Sequence, residues 1–347
     1  MAALKPITII GGGLAGLTLG IGLRRRGIPA TILEMGDYPR HRLCGEFISG
    51  GGRQVLERLG LFELFLQAGA VSAHTAVFYS GTTHSPRRAL KTPALCLSRF
   101  NMDASLAQQF RELGGELYEG ERFRQGAPGE GLVHASGRRA RPVENGWRWF
   151  GLKAHARDVS LAADLEVHVL RDGYVGLCRL SGGEVNVCGL FRRPVGARSS
   201  VPPWQELLRG CPGTGLHQRM VDSVFDEGSF CAVAGLALRP QRASDLAQCC
   251  IGDALTMTPP VTGNGMSMAF ESAEIAIEPL AAYSRGQIPW RRAQEAVARA
   301  CDERFARRLA WAKRLQWIMF APLFRGSLGS LALNSGWLWR VMFDRTR

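Results

Sequence analysis

Near the N-terminus a short β-branched run, Ile7 to Ile10, leads straight into Gly11-Gly12-Gly13-Leu14-Ala15-Gly16. A helix-like segment follows to about Arg26, and a second apolar run, Ala30 to Leu33, ends on Glu34. Strand, glycine turn, helix, strand and acid, in that order, describe a dinucleotide-binding βαβ unit. Gly11 permits the tight turn, Gly13 lets a pyrophosphate approach the helix N-terminus, and Gly16 allows close packing of the helix. Glu34 is placed to accept from ribose hydroxyls. That suits FAD or NAD and argues against a 2′-phosphate at this position.

A second glycine-rich stretch lies far along the chain, Gly252 to Ala273, reading GDALTMTPPVTGNGMSMAFESA. An apolar run ends at Gly252-Asp253, a loop carries Pro259, Pro260, Gly263 and Gly265, and a helix begins near Met266. One carboxylate at a strand end, a loop stiffened by prolines and a helix start with unpaired N–H groups suit a flat or polyphosphate ligand.

The chain has 347 residues and 46% apolar content, enough for a substantial globular core. Its formal charge of +13 raises nucleic acid as a partner. Arginine outnumbers lysine 39 to 4, however, and no recognised nucleic-acid motif organises the charge, so that partner is set aside. Nine of the surplus positive charges fall in residues 285–347, a cationic tail. Nine cysteines without CxxC or Cys/His spacing point to reduced thiols and no metal site. The start, MAALKPITII, has neither a signal peptide nor a spanning segment, so a cytoplasmic protein is expected.

Taken together, the early GxGxxG–Glu34 unit and the late Gly-Asp, Pro, Gly-x-Gly loop resemble the FAD-dependent monooxygenase and reductase superfamily, which includes para-hydroxybenzoate hydroxylase and geranylgeranyl reductases. The resemblance spans about residues 5–280. It implies FAD contacts from Gly11, Gly13, Leu14, Ala15, Gly16, Glu34 and Met35 at one end of the chain. At the other end it implies Asp253 on the ribityl chain, Pro260 in the loop, and backbone N–H groups of Gly263, Asn264, Gly265 and Met266 at the flavin's pyrimidine edge. A helix N-terminus there would stabilise the negative charge of a reduced flavin.

Between them runs Arg40-His41-Arg42-Leu43-Cys44-Gly45-Glu46. Arg40 or Arg42 either contacts cofactor phosphate or is surface charge. Cys44-Gly45-Glu46 resembles the cysteine–glycine element of the geranylgeranyl reductase branch, which implies FAD contacts from Cys44 and Gly45, with Cys44 facing the isoalloxazine, and makes Cys44 and Glu46 catalytic candidates; the alternative for Cys44 is a small buried hydrophobe. Arg99, before the helix Ala104 to Leu113, is a candidate FAD contact or an ordinary helix-start charge. Ser49-Gly50-Gly51-Gly52 reads as a flexible turn before a helix from Gln54 to Leu59.

Three departures from the superfamily pattern bear on the reaction. Ser136 in VHASGRRAR (133–141) stands where an Asp is usual, which weakens a nicotinamide-driven hydroxylase. Of an aromatic Tyr-x-Trp-x-Phe-Pro box only Tyr174 remains, a third catalytic candidate, and this weakens double-bond reduction. Trp147-Arg148-Trp149 resembles the start of the Trp-x-Trp-x-Ile-Pro signature of flavin-dependent halogenases, but Phe150-Gly151 follows, so the tryptophans are read as packing. His155 and His168, each in a strand, are read as structural.

Strands are expected at Leu165–Leu170, Tyr174–Leu180 and Val185–Leu190, with Gly182-Gly183 as a hairpin turn, and a return strand at Phe230–Leu238. Helices are expected at Trp204–Arg209, Ala269–Tyr283 and Trp290–Leu315. The expected fold is α/β: a Rossmann-like FAD-binding domain (1–70, 96–145, 246–284), an inserted, mostly antiparallel β substrate domain (71–95, 146–245), and a C-terminal helical extension (285–347). Tryptophan, apolar residues and arginine in 305–343 suit either a peripheral membrane contact or a cap packed on the protein itself. The function implied is an FAD-dependent oxidoreductase, a monooxygenase working through a flavin C4a-hydroperoxide on an apolar aromatic, polyketide or lipid-like substrate. Electrons come from NAD(P)H or a partner reductase, since only one GxGxxG is present. The alternatives are an FADH2-dependent reductase of prenyl or polyketide double bonds, and a non-catalytic flavin protein that docks to a membrane or partner. The oligomeric state is left open.

Overall fold

A computed structural model describes residues 3–123, 129–138, 140, 141, 143–197, 202–258, 260–320, 335 and 336. The chain opens with strand β1 (Ile7–Ile10), helix α1 (Leu14–Arg24) and strand β2 (Ala30–Leu33), the strands falling on the residues the β-branched runs predict. Next come β3 (Phe47–Ile48), α2 (Gly50–Arg58), α3 (Phe62–Gln67), β4 (Val71–Ser80), β5 (Thr83–His84), β6 (Arg88–Cys96) and α4 (Arg99–Glu112). The middle of the chain holds β7 (Glu116–Tyr118), β8 (Leu132–His134), β9 (Trp147–Arg157), β10 (Leu165–Leu170), β11 (Gly173–Arg179) and β12 (Val185–Pro194). The last described elements are α5 (Trp204–Arg209), α6 (Gly215–Met220), β13 (Val224–Ala234), β14 (Cys249–Cys250), α7 (Gly265–Ser284) and α8 (Trp290–Phe320).

Two sheets result. The first is parallel throughout, in the order β14-β8-β1-β2-β7, with β1 paired to β2 from Ile7↔Ala30 to Ile10↔Leu33. Its strands are short and apolar because both faces are covered. Ile7, Ile9 and Ile32 are fully buried beneath α1, α4 and α7 in the largest apolar cluster. The second sheet runs β13-β9-β12-β11-β10-β4-β6-β3, with β5 on β4. Only the β10–β4 pair in it is parallel, so the mostly antiparallel expectation holds. Gly182 and Gly183, both at positive φ, turn β11 into β12 as expected.

Two expectations are corrected. The return strand is β13, Val224–Ala234, rather than Phe230–Leu238; it pairs along β9 with an irregularity between Asp226 and Cys231. Gly50, Gly51 and Gly52 form the first turn of α2 rather than a flexible turn. The reason is space. A Cβ added at Gly52 would sit 2.6 Å from Ser267 Oγ and 2.7 Å from Ile48 Cγ2, so the glycine lets α2 press against the start of α7.

α8 lies along α7, where Glu271, 2% exposed, receives Arg308 Nη1 at 2.7 Å and Arg304 Nε at 2.7 Å. Its end crosses to the second sheet and sets Phe320 edge-on to Trp149, with ring centroids 5.2 Å apart. No helix among the described residues is long and apolar enough to cross a membrane.

Gly52→Val should cost about 1–3 kcal/mol by overpacking α2 against α7. Gly51→Ala serves as control, because its added carbon has only Glu271 Oε1 near it, at 3.5 Å. Thermal unfolding should show a lowered midpoint for the first variant and none for the second; equal midpoints would contradict the packing described.

Candidate functional site

The carboxyl ends of β1 and β8 face the second sheet across a cavity of about 1250 Å³. That exceeds the roughly 300–1,000 Å³ of a drug-sized pocket and gives room for a cofactor of dinucleotide size. Two helices begin at its wall. α1 starts after Gly13 and α7 after Asn264, neither with a side-chain cap nor an acid in its first turn. Leu14, Ala15, Gly265 and Met266 of these first turns line the cavity, so two sets of unpaired backbone N–H groups meet there.

The glycines divide by what surrounds them. Gly11 sits at φ 102°, and a Cβ on it would lie 2.5 Å from Ala135 O; one on Gly16 would lie 1.9 Å from Gly11 O. These two hold the turn tight against helix and neighbouring strand. At Gly13, Gly45 and Gly265, all lining the cavity, an added Cβ would meet no protein atom within 4 Å. Backbone is bare where a ligand would have to come close, and the site fits a flat, anionic dinucleotide cofactor.

Charge along one wall is organised by Glu34 and Asp103. Glu34, 5% exposed, accepts from Gly12 N–H at 2.6 Å and Gly36 N–H at 3.1 Å, and pairs with Arg40 and, at 3.5 Å, with Arg42. Burial pushes its carboxyl up, but the two arginines and two N–H groups outweigh burial and hold it below the ordinary 4.5. Arg42 also reaches Asp103 at 2.7 Å, and Arg99 grips Asp103 with two bonds of 2.8 Å. Three guanidinium groups against two carboxylates leave a cationic wall, which suits a diphosphate.

Asp253 also lines the cavity, beyond Gly252, whose N–H donates to Ser272 Oγ at 2.9 Å. Burial raises the Asp253 carboxyl, with Arg138 and Arg99 opposing. Met35, Arg42, Cys44, Gly45, Arg99, Pro260 and Gly263 also line the cavity. Gly16 and Asn264 lie behind the wall; the Asn264 side chain accepts from the Ser49 hydroxyl at 3.1 Å.

The catalytic candidates separate. Cys44 lines the cavity, but burial pushes its thiol up despite Arg99 nearby, so it stands there as a neutral thiol. Glu46 does not line it: fully buried and at φ 54°, it lies beneath the wall. Tyr174 lies elsewhere. It is on β11 in an apolar cluster with Trp149, Val169 and Leu190, away from the lining, because the alternation of β11 turns its ring into that packing. The tryptophans behave as packing, Trp149 against Phe320 and Trp147 beneath Arg192 at 4.1 Å.

Sequence reasoning missed a buried ionic cluster under the same wall. Glu46 Oε2 lies 2.7 Å from His155 Nε2, Glu46 Oε1 lies 3.4 Å from Lys153 Nζ, and Lys153 Nζ lies 3.2 Å from Nδ1 of His41, a lining residue. A signal was present. Alternation along β9 puts Gly151, Lys153 and His155 on one face, and a lysine there in a central strand demands a buried partner. On that face, a Cβ at Gly151 would lie 2.5 Å from Leu43, and Asn186 donates to Cys44 O at 3.0 Å. The segment Arg40–Glu46 is thereby pinned between the sheets.

Known proteins match this description. Residues 5–142 match the family described as FAD binding domain. No curated protein matches the chain by sequence. Among solved structures, the flavin-dependent brominase Bmp2 is 19% identical with a TM-score of 0.72, the match covering 98% of this chain and 92% of that one. The halogenase PltM in complex with phloroglucinol and FAD is 16% identical with a TM-score of 0.71, covering 98% and 79%. A flavoprotein/dehydrogenase from Cytophaga hutchinsonii is 14% identical with a TM-score of 0.67, covering 92% and 86%. Residues 5–142 thus resemble an FAD-binding domain, and the chain as a whole shares the fold of these solved flavoproteins.

Burial pushes the Glu46 carboxyl up, but the bond from His155 and the charge of Lys153 outweigh it and hold the group below 4.5, as with Glu34. Both therefore stabilise the fold fully above pH 4.5, and that contribution is lost as pH falls through their lower folded-state values. Thermal midpoints should drop steeply in acid below pH 4.5 and less steeply in Glu46→Gln. Equal acid sensitivity in the variant would contradict the assignment.

Proposed function

We propose that the protein is an FAD-dependent monooxygenase acting on an apolar aromatic, polyketide or lipid-like substrate, with electrons from NAD(P)H or a partner reductase. The observation that carries this reading is the meeting of two uncapped helix N-termini at one large cavity with bare glycine backbone facing it. When bound, FAD supplies oxygen activation and oxygen transfer. The chain supplies position, charge and exclusion of water.

In this reading the first turn of α1, with Gly13, Leu14 and Ala15, and the cations Arg42 and Arg99 hold the diphosphate. Glu34 takes ribose hydroxyls and Asp253 takes the ribityl chain, whose donors relieve its unfavourable burial. N–H groups of Gly265 and Met266 face the pyrimidine edge, where negative charge develops on reduction. Leu43, Phe47, Phe230, Val233 and Met257 on the remaining lining favour an apolar substrate.

One observation supports the rival, double-bond reduction: Cys44 and Gly45 stand on the cavity wall. The membrane proposal draws on the cationic tail and on Trp317 and Ile318, 75% and 40% exposed near the end of α8. Most of residues 305–343 lies outside the described residues.

Phenolic lipids in detergent, supplied with reductant and 18O-labelled oxygen gas, should yield products carrying one labelled atom. Conversion of an unsaturated substrate under strict anaerobiosis, with two hydrogens gained and no label, would replace this reading by the reductase.

A further inference from the structure

The cluster beneath the cavity wall costs more than packing alone explains. Lys153 and Glu46 are fully buried and His155 is 3% exposed, the lysine and histidine on β9 within a nine-stranded sheet and Glu46 just before β3. Burying ions carries a desolvation penalty of roughly several kcal/mol each, and well-packed apolar side chains are often as stabilising or better. The opposite face of the same strand takes that cheaper solution, with Leu152, Ala154 and Ala156 in an apolar core.

The cluster has direction as well as charge. His41, on the cavity wall, has Nδ1 3.2 Å from Lys153 Nζ. Lys153 Nζ is 3.4 Å from Glu46 Oε1, and Glu46 Oε2 is 2.7 Å from His155 Nε2. His155 Nδ1 then lies 3.6 Å from Glu184 Oε2, whose side chain is 31% exposed and pairs with Arg157. A cluster built only to satisfy its own charges closes on itself. This one folds back far enough for the His41 and His155 rings to meet edge-on, centroids 5.1 Å apart, and still reaches from the cavity to solvent.

The neighbours hold its members in place. Arg99 N–H donates to Glu46 Oε1 at 2.8 Å, and Ser229 Oγ accepts the His155 backbone N–H at 2.7 Å. Cys188 and Cys231 flank Lys153 in register on β12 and β13, and Asp226 is in register with His155. Burial, and then the charge of Lys153, push the His41 imidazole down, so near neutral pH its ring is uncharged. With Nδ1 accepting from the Lys153 ammonium, the proton of that ring sits on Nε2.

We propose that His41, Lys153, Glu46, His155 and Glu184 form a proton relay between solvent and the cavity, with His41 exchanging the proton with whatever is bound there. Transfer inward conserves protons at every link. A solvent proton arriving beside Glu184 binds His155 Nδ1, and the His155 Nε2 proton passes to the Glu46 carboxylate. Lys153 gives a proton to His41 Nδ1 and is reprotonated by Glu46, while His41 releases its Nε2 proton into the cavity. One proton enters and one leaves. The inference rests on the reading of this cavity as the FAD site, but not on which reaction follows.

The test is proton uptake. Protein loaded with FAD is reduced anaerobically by two equivalents of the methyl viologen radical cation, each giving up one electron and no proton, in weak buffer containing a pH indicator. His41→Ala and Glu184→Gln should both still reach full loss of flavin absorbance, the check that FAD is bound and reduced. Their proton uptake should be slower by on the order of 10-fold or more, within the range of lost acid–base groups. Added imidazole should restore the rate in His41→Ala. Uptake at the parental rate in both variants, or slowing that imidazole does not relieve, would overturn the relay and leave a structural ion cluster. A second measurement needs no cofactor: histidine-selective 15N NMR of the flavin-free protein should show His41 protonated at Nε2 and change in Glu184→Gln. The opposite tautomer would also overturn the relay. Failure of the monooxygenase reading would appear in the labelled-oxygen experiment and leave both readouts intact.

Discussion

The site depends on two helix N-termini being brought to one point. Each first turn has N–H groups that no carbonyl of its own helix can take, and together they make a place of positive potential. Holding α1 and α7 this near requires close packing. A Cβ on Gly22 of α1 would lie 2.3 Å from Ile277 Cδ1 of α7, and one on Gly52 of α2 would strike Ser267. Glycines in α1 and α2 therefore set how closely α7 approaches and where the bare backbone is offered. The buried Glu271, gripped by Arg304 and Arg308, then ties α8 to the back of α7.

The second sheet closes the other side, and the segment Arg40–Glu46 connects the two halves. It is fixed from above by Glu34 and Asp103 through Arg40 and Arg42, and from below by Asn186, Lys153 and His155. One stretch of seven residues thus contributes both to the cationic wall and to the buried ionic cluster. Its charged side chains are held in place before any ligand arrives, a form of preorganisation that lowers the cost of binding an anion.

Much of this was legible in the sequence wherever the signal was local. β1, β2 and the glycine turn were read to the residue, because β-branching, glycine and a following acid act within a few positions. The lining set was largely legible too, since a strand end and a helix start define it. What failed depended on distant contacts. Gly50 to Gly52 read as a turn because glycine is permissive locally, whereas the presence of Ser267 two hundred residues away makes them helical packing positions. A motif singles out Tyr174, whereas its seat in an apolar cluster follows from strand alternation. The place of Lys153 is not legible locally, because its partners, His41 and Glu46, are more than a hundred residues off.

The most direct test of the account is FAD binding by Gly13→Ala and Gly265→Ala, each adding one carbon where the protein itself has no atom within 4 Å. Fluorescence titration of the purified variants should show affinity lowered by roughly 10-fold or more, about 1.4 kcal/mol, with the flavin-free thermal midpoints unchanged or raised. Parental affinity in both variants would mean that no ligand backbone contact is made there, and that the two helix N-termini do not form the FAD site.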